Sequence, residues 1–434
     1  MAKISFAKVA VLGALLLHAV LIYFKGYFLS IEFTLYPFLT SRGFLPYQNI
    51  LDQHFPTLLF GPFSLPAFLT TNPWPLLAVF VCVLLLTDVF LYAALVRSKV
   101  SKPLVWLVLY IVSSVYFSGN ILWLETFVNL LLSAWIFLSF SPKRLHYFVS
   151  GFLISQIILI RPTLIPAVTV LFFGLSLPLT IPLLLGGFVG LAIPALFLVR
   201  FGLVPDFIRL AIDFNRESYP TGAILLPAKR QVIILLAWIL PTIASFIKNK
   251  KYLFLLSVIF MFVLVVPRFG YEHLQPLFLV VTLLWAFTAV KPGLLVYLLI
   301  VIVFGLNLVA SIRHSYGNYF LNPQVMEISA DIAKLPQNNI YLLGASDLIY
   351  PLSGKTPPNY TYLPSLPWYF NQSDFSSKVI ESLSDKTTPV VVDYSATVDG
   401  YNVVESSGPI FEYIKMNLIP GPKVGSYQIF YPNP

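Results

Sequence analysis

Cysteine, acidic side chains and charge in general are scarce in this chain of 434 residues. The one cysteine, Cys82, excludes an internal disulfide and a thiolate metal cluster, and it leaves the redox compartment unread. Set in an apolar run, it reads as a small buried hydrophobe. Charged residues make up 10% of the chain, against about 25% in globular domains. A chain this poor in charge cannot cover a compact surface with polar groups. There is no Gly-rich phosphate loop, internal repeat, coiled-coil heptad or low-complexity segment, which speaks against P-loop, solenoid and disordered classes. What is abundant is apolar: 58% of residues are hydrophobic and the mean hydropathy is +0.83. These figures predict a polytopic membrane protein that relies on lipid for much of its solvation. The formal charge of +9 then belongs to membrane topology, and no nucleic-acid partner is expected.

A spanning helix needs about 20 apolar residues. Runs of that kind occur near 7–25, 75–96, 103–119, 122–140, 147–161, 163–177, 179–200, 230–247, 252–267, 273–290 and 293–311, which predicts about eleven spans. Pro178 and Pro182 make the 163–200 stretch readable as two tilted helices or one broken one. The first run lacks a small-residue cleavage site and reads as a retained anchor. Short connections carry Arg97, Lys99 and Lys102, then Lys143 and Arg144, then Lys248, Lys250 and Lys251, and finally Lys291. With an odd number of spans all four fall on one side, which places the N-terminus in the cytoplasm and the C-terminus outside a cell membrane.

The composition changes after Ile312, where 10 of the 18 acidic residues lie. Helical pattern at Pro323–Leu335 and Phe375–Leu383 alternates with β-like runs at Ile340–Leu343 and Val390–Val392, with an extended end at Tyr427–Tyr431. The expected organisation is therefore mainly α: a transmembrane helical bundle over 1–311 with a long first outer loop at 26–74, then a small extracytoplasmic α/β domain at 312–434.

The first 311 positions hold eight carboxylates: Glu32, Asp52, Asp88, Glu125, Asp206, Asp213, Glu217 and Glu272. All but Asp88 fall in or beside outer connections, and such costly groups at a bilayer boundary mark a site. The first outer connection is far longer than a helix link requires. It contains Ser30-Ile31-Glu32, Gly43-Phe44-Leu45-Pro46-Tyr47 and Asp52-Gln53-His54-Phe55-Pro56. A helix near 31–41, ended by Arg42-Gly43, is predicted to be amphipathic, to lie in the interface and to hold Glu32 at its start. Glu32 also suits a plain role at a helix N-terminus.

These residues resemble the first loop of the GT-C glycosyltransferases, polytopic enzymes that use polyprenyl-phosphate sugars. The closest resemblance is to the bacterial and archaeal dolichyl-phosphate-mannose protein mannosyltransferase and aminoarabinose transferase group. Gly119-Asn120 followed by Leu124-Glu125 looks like that group's second outer carboxylate. Arg161-Pro162-Thr163 is similar to its basic position at a span end, and Pro267-Arg268 with His273 and Pro276 to a later motif. Ile340-Tyr341 through Gly344, with Ile349-Tyr350, resembles part of its C-terminal module. One departure is Ser30-Ile31-Glu32, where many members carry two adjacent acids, so that either Glu32 acts alone or Asp52 takes the catalytic place.

The resemblance implies inverting transfer of a sugar from a polyprenyl-phosphate donor to a protein, lipid or glycan acceptor on the outer face. Glu32 or Asp52 would remove the acceptor's proton. Arg161 and Arg268 would bind the phosphate, with His273, Glu125 and Tyr47 also at the substrate. His54, with Asp52 and Glu125, could hold a divalent metal, Mg or Mn, although an Asp-x-His spacing also suits a solvated loop. Arg161 and Arg268 suit snorkelling to headgroups as well. The alternative function is a multi-span transporter of a lipid-linked or small solute, which would be expected to show repeats and several ionisable residues deep in its spans.

Overall fold

The computed structural model describes residues 6–141, 143–175, 177–217, 225–229, 231–236, 239, 247, 252–263, 269–288, 322–370, 372–385 and 387–433. The chain is mainly helical, with 19 α-helices among the described residues. It divides into two compact units, each assembled from separate stretches of sequence. The first takes Met1–Leu29, Leu77–Pro194 and Leu225–Gly317, and the second takes Ser30–Leu76, Ala195–Ile224 and Asn318–Pro434. The division thus differs from a linear split near position 311: the first long loop and the 195–224 segment cluster with the C-terminal residues.

The first unit is built from apolar helices. These are α1 (Phe6–Lys25), α5 (Pro103–Tyr116), α6 (Leu124–Ser139), α7 (Arg144–Ile160), α8 (Ile165–Gly174), and most of α4 (Pro73–Arg97) and α9 (Ile181–Arg200). The helices Tyr252–Val263 and Gln275–Thr288 complete it. α6 packs on α7, α1 on α5, Tyr252–Val263 on α8, and Gln275–Thr288 on both α5 and α6. Glycine permits the α7–α9 approach: a Cβ on Gly151 would stand 1.9 Å from the Leu183 carbonyl oxygen, and one on Gly186 1.8 Å from that of Phe148. The Gln156 side chain donates to the Gly190 carbonyl at 2.9 Å across the same contact. At the end of α1, Lys25 donates to the carbonyls of Val115 and, at 3.2 Å, Tyr116. A cation thereby meets the negative C-terminal end of α5.

Among the described residues, two helices, Pro73–Arg97 and Ile181–Arg200, are long and apolar enough to cross a membrane. Seven further apolar stretches of helix there, α1 counted over Val9–Lys25, are shorter, 10–17 residues each. The expected spans near 103–119 and 163–177 stop at Tyr116 and Gly174. Phe117 leaves helical geometry just before the Ser118–Asn120 turn, and the prolines at 178 and 182 follow Gly174. The run at 293–311, most of 230–247, the end of 252–267 and the basic positions Lys248, Lys250, Lys251 and Lys291 lie outside the described residues. Cys82, expected in a core, is exposed on α4.

In the second unit, a four-stranded sheet has the order β1 (Tyr341–Leu343), β2 (Val390–Asp393), β4 (Tyr427–Pro432), β3 (Leu418–Val424). β1 runs parallel to β2, and the other pairs are antiparallel. Leu343 pairs with Val392, and Val391 with Ile429, and all four are buried. β3 is an edge strand, which is where Pro420 and Pro422 are tolerated, and its register shifts between Pro420 and Lys423. The expected helices are present as Pro323–Ala333 and Ser373–Ser382.

The helix predicted after Ser30 is α2 (Glu32–Ser41), ended by Gly43 at φ +89°. Its predicted interfacial character is not found. Phe33 to Leu39 are all buried, because the run Phe-Thr-Leu-Tyr-Pro-Phe-Leu offers no charged face and Tyr36 finds a buried partner of its own.

Candidate functional site

Two groups of ionisable side chains stand out, one in each unit. In the second unit the centre is Asp52, which is 3% exposed. Its Oδ1 accepts from the His54 backbone N–H at 2.8 Å and faces the His54 ring Nδ1 at 2.6 Å. Its Oδ2 accepts from the Tyr36 hydroxyl at 2.5 Å. Burial alone would raise the Asp52 carboxyl, but the charge and hydrogen bonds of His54, with the bond from Tyr36, outweigh it and hold Asp52 below its ordinary value. A carboxylate on Nδ1–H also fixes the orientation and tautomer of the imidazole.

Three separate stretches of sequence fix this loop. The backbone N–H of Gln53 donates to the Tyr369 hydroxyl at 3.0 Å, and the Gln53 carbonyl accepts from the Asn215 side chain at 3.0 Å. Phe214 stacks on Tyr369 with ring centroids 4.9 Å apart. Just upstream, Tyr362 donates its N–H to the Asn49 carbonyl at 2.7 Å and accepts from the Leu51 N–H at 2.9 Å.

Glu32 stands half-buried in the first turn of α2 and accepts a hydrogen bond from the Ser30 hydroxyl. Burial raises its carboxyl above the ordinary value, against lowering contributions from the Ser30 bond, its own backbone N–H and the nearby His54. The two carboxylates are thus separated in character: Asp52 is fully engaged and held ionised, whereas Glu32 is the more basic of the pair.

Sequence reasoning missed a third carboxylate. Asp347 accepts from the Tyr362 hydroxyl at 2.8 Å and lies within electrostatic reach of Glu32, and burial pushes it up to about 7. The Tyr362 ring meets those of Tyr36 at 6.0 Å and Tyr350 at 6.2 Å, both nearly edge-on. The local sequence carries no signal for this, because Asp347 and Tyr362 reach Glu32 and Asp52 through tertiary contacts, the pairing of Tyr362 with the first loop among them. Tyr47, expected at the substrate, is instead fully buried. Its hydroxyl donates to the His54 carbonyl at 2.8 Å and its ring packs edge-on against Phe60 and Phe207. It shapes the loop and offers no surface for a sugar.

In the first unit, Glu125 is 1% exposed in the first turn of α6. Its Oε1 faces His273 Nδ1 at 2.9 Å and Arg161 Nη1 at 3.3 Å. Arg161 ends α7, because Pro162 cannot continue it and the chain turns into a 3-10 segment, Pro162–Leu164. His273 lies in the 3-10 turn Glu272–Leu274 before Gln275–Thr288. Glu125 therefore orients an arginine and a histidine that keep part of their surface, 23% and 12% of the side chain. Arg268 lies outside the described residues.

The ligand set considered for a divalent metal does not fit one. Asp52 already holds hydrogen bonds on both oxygens, and Glu125 is committed to Arg161 and His273. Among the described residues no group of three or more His, Cys, Asp or Glu side chains is arranged to hold a metal ion. Comparison of the chain with family models gives no match, and comparison with curated proteins gives none either.

Proposed function

We propose that the chain is an integral-membrane inverting glycosyltransferase that transfers a sugar from a polyprenyl-phosphate donor to an acceptor on the outer face of a cell membrane. The membrane placement is supported by the distribution of exposure in the first unit. Leu16, Tyr23, Ile181 and Phe188 are 65–74% exposed on α1 and α9, while His18 and Asp88 are buried inside. An apolar exterior around a polar interior suits lipid.

The observation that carries the chemistry is the pairing of a basic, half-buried Glu32 with a fixed Asp52–His54 pair. Glu32 takes the acceptor's hydroxyl proton as that oxygen attacks the sugar C1. The bond from C1 to the phosphate oxygen breaks on the opposite face, and polyprenyl phosphate leaves with the electron pair. Asp52 positions His54 and keeps the loop charged. Within the first unit, and described by itself, Glu125 orients the Arg161 guanidinium, a group of the type that binds phosphate. No metal takes part in this scheme. The test is to incubate the purified protein in vesicles with radiolabelled polyprenyl-phosphate sugars and an acceptor extract. Release of polyprenyl phosphate with stoichiometric labelling of the acceptor is expected, and intact donor across a panel of sugars would contradict the reading.

One observation favours a second reading, a multi-span transporter: Asp88 is joined deep in the helical unit by His18, an ionisable pair of the kind found on substrate paths. Movement of donor lipid or label across the vesicle membrane without transfer would select it.

A further inference from the structure

The His18–Asp88 pair has no part in the proposed transfer. His18 on α1 and Asp88 on α4 are 1% and 0% exposed, with Nδ1 and Oδ2 2.7 Å apart. The pair sits at one end of a continuous polar seam. Tyr110 on α5 lies within electrostatic reach of Asp88 and hydrogen bonds to the Ser114 hydroxyl. Asn129 on α6 donates to the Tyr110 hydroxyl at 3.2 Å. Ser114 donates to the Gln275 side-chain oxygen at 2.8 Å, and Gln275 donates to the Phe117 carbonyl. Five helices thus contribute buried polar side chains to one seam.

Four buried polar atoms along it have no hydrogen-bond partner among the described residues: His18 Nε2, Asp88 Oδ1, Ser113 Oγ and Asn129 Oδ1. One such atom in an apolar interior is costly, and buried polar atoms in native folds are almost always satisfied. Several in one seam are satisfied most simply by water, which takes two to four such partners. A sealed interhelical clamp needs only the His18 Nδ1 contact to Asp88 and gives no reason for the other orphans. Among the described residues, the other ionisable group within electrostatic reach of the pair is Tyr110.

We propose that this seam is an internal proton-binding site served by buried water, in which the His18–Asp88 pair gains and loses one proton while its orphan atoms, with those of Ser113 and Asn129, hold the water. The pair moves between a neutral state, with one proton between ring and carboxylate, and a singly charged state. The proton comes from or returns to the bound water.

The test uses the full-length protein in lipid nanodiscs with 15N-labelled histidine. The chain has five histidines, and the His18 ring signals are identified by replacing each of the other four with Gln in turn, which leaves the seam intact. On transfer to deuterated water, the His18 ring proton is expected to exchange at least tenfold faster than the backbone amides of α1. Ser113→Ala with Asn129→Leu should slow that exchange at least tenfold while both helices stay folded. A ring proton that lasts as long as the surrounding amides would overturn the proposal and leave a dry clamp. No sugar transfer is read, so this outcome is independent of the proposed enzyme activity.

Discussion

His54 and Asp52 in one unit, and His18 and Asp88 in the other, make the same contact, ring Nδ1 to carboxylate oxygen at 2.6 and 2.7 Å. Their surroundings differ. Asp52 has both oxygens engaged and a histidine ring that keeps 26% of its side-chain surface. Asp88 has one engaged oxygen and one without a hydrogen-bond partner among the described residues, and neither member of the pair reaches the surface. A His–carboxylate contact therefore does not define a role by itself. A fully satisfied carboxylate at a half-exposed ring fixes a tautomer for chemistry, whereas a half-satisfied pair in an apolar interior calls for water and a proton. Glu125 with His273 is intermediate, since its Oε1 faces both Arg161 and the His273 ring and its Oε2 has no hydrogen-bond partner among the described residues.

The largest separation between the two pairs should come from Asp52→Asn. It preserves shape but allows the amide to hold the wrong His54 tautomer, and transfer is expected to fall by about two to four orders of magnitude. Equal transfer by Asp52→Asn and wild type, measured as acceptor labelling at saturating donor, would place Asp52 outside the chemistry.

Asp88→Ala should instead act on the fold, costing on the order of 3–5 kcal/mol because it strands His18 in an apolar interior. Replacing both His18 and Asp88 by Leu should recover most of that loss, since neither charged group is then left without its partner. Unfolding in mixed micelles measures both variants. A double variant as unstable as the single one would mean that the seam, and not the pair, carries the stability.

How far this was legible in the sequence depends on the range of each contact. The Asp52-Gln53-His54 spacing was visible and is local, so these residues could be placed together before any fold was known. Strands at Tyr341–Leu343, Val390–Asp393 and Tyr427–Pro432 follow from apolar runs bounded by turns. The edge strand Leu418–Val424 is hidden in the sequence, because Pro420-Gly421-Pro422 looks like a loop until a neighbouring strand supplies one-sided pairing. Asp347 and Tyr362 were equally hidden, more than 300 residues from Glu32. His18 is equally silent, because a lone histidine in an apolar run shows its meaning only when a carboxylate from another helix faces it.

A smaller effect comes from Asp347, the carboxylate beside Glu32 that has no histidine partner among its hydrogen bonds. Its folded value, about 7, is raised above the ordinary 3.8, so the folded state holds the proton more tightly than the unfolded chain. Its contribution to stability is complete below about pH 3.8 and is lost as the pH rises through about 7. Asp347→Asn should remove that part of the pH dependence, giving a flatter curve of unfolding midpoint against pH. An unchanged curve would remove Asp347 from the electrostatics of the site.

The central claim is that Glu32 is the base for sugar transfer. It is tested most directly by assaying Glu32→Gln for acceptor labelling and for donor-lipid binding in the same vesicles. Transfer reduced by at least a hundredfold with donor binding close to wild type is the predicted result. Full transfer by Glu32→Gln would contradict the account.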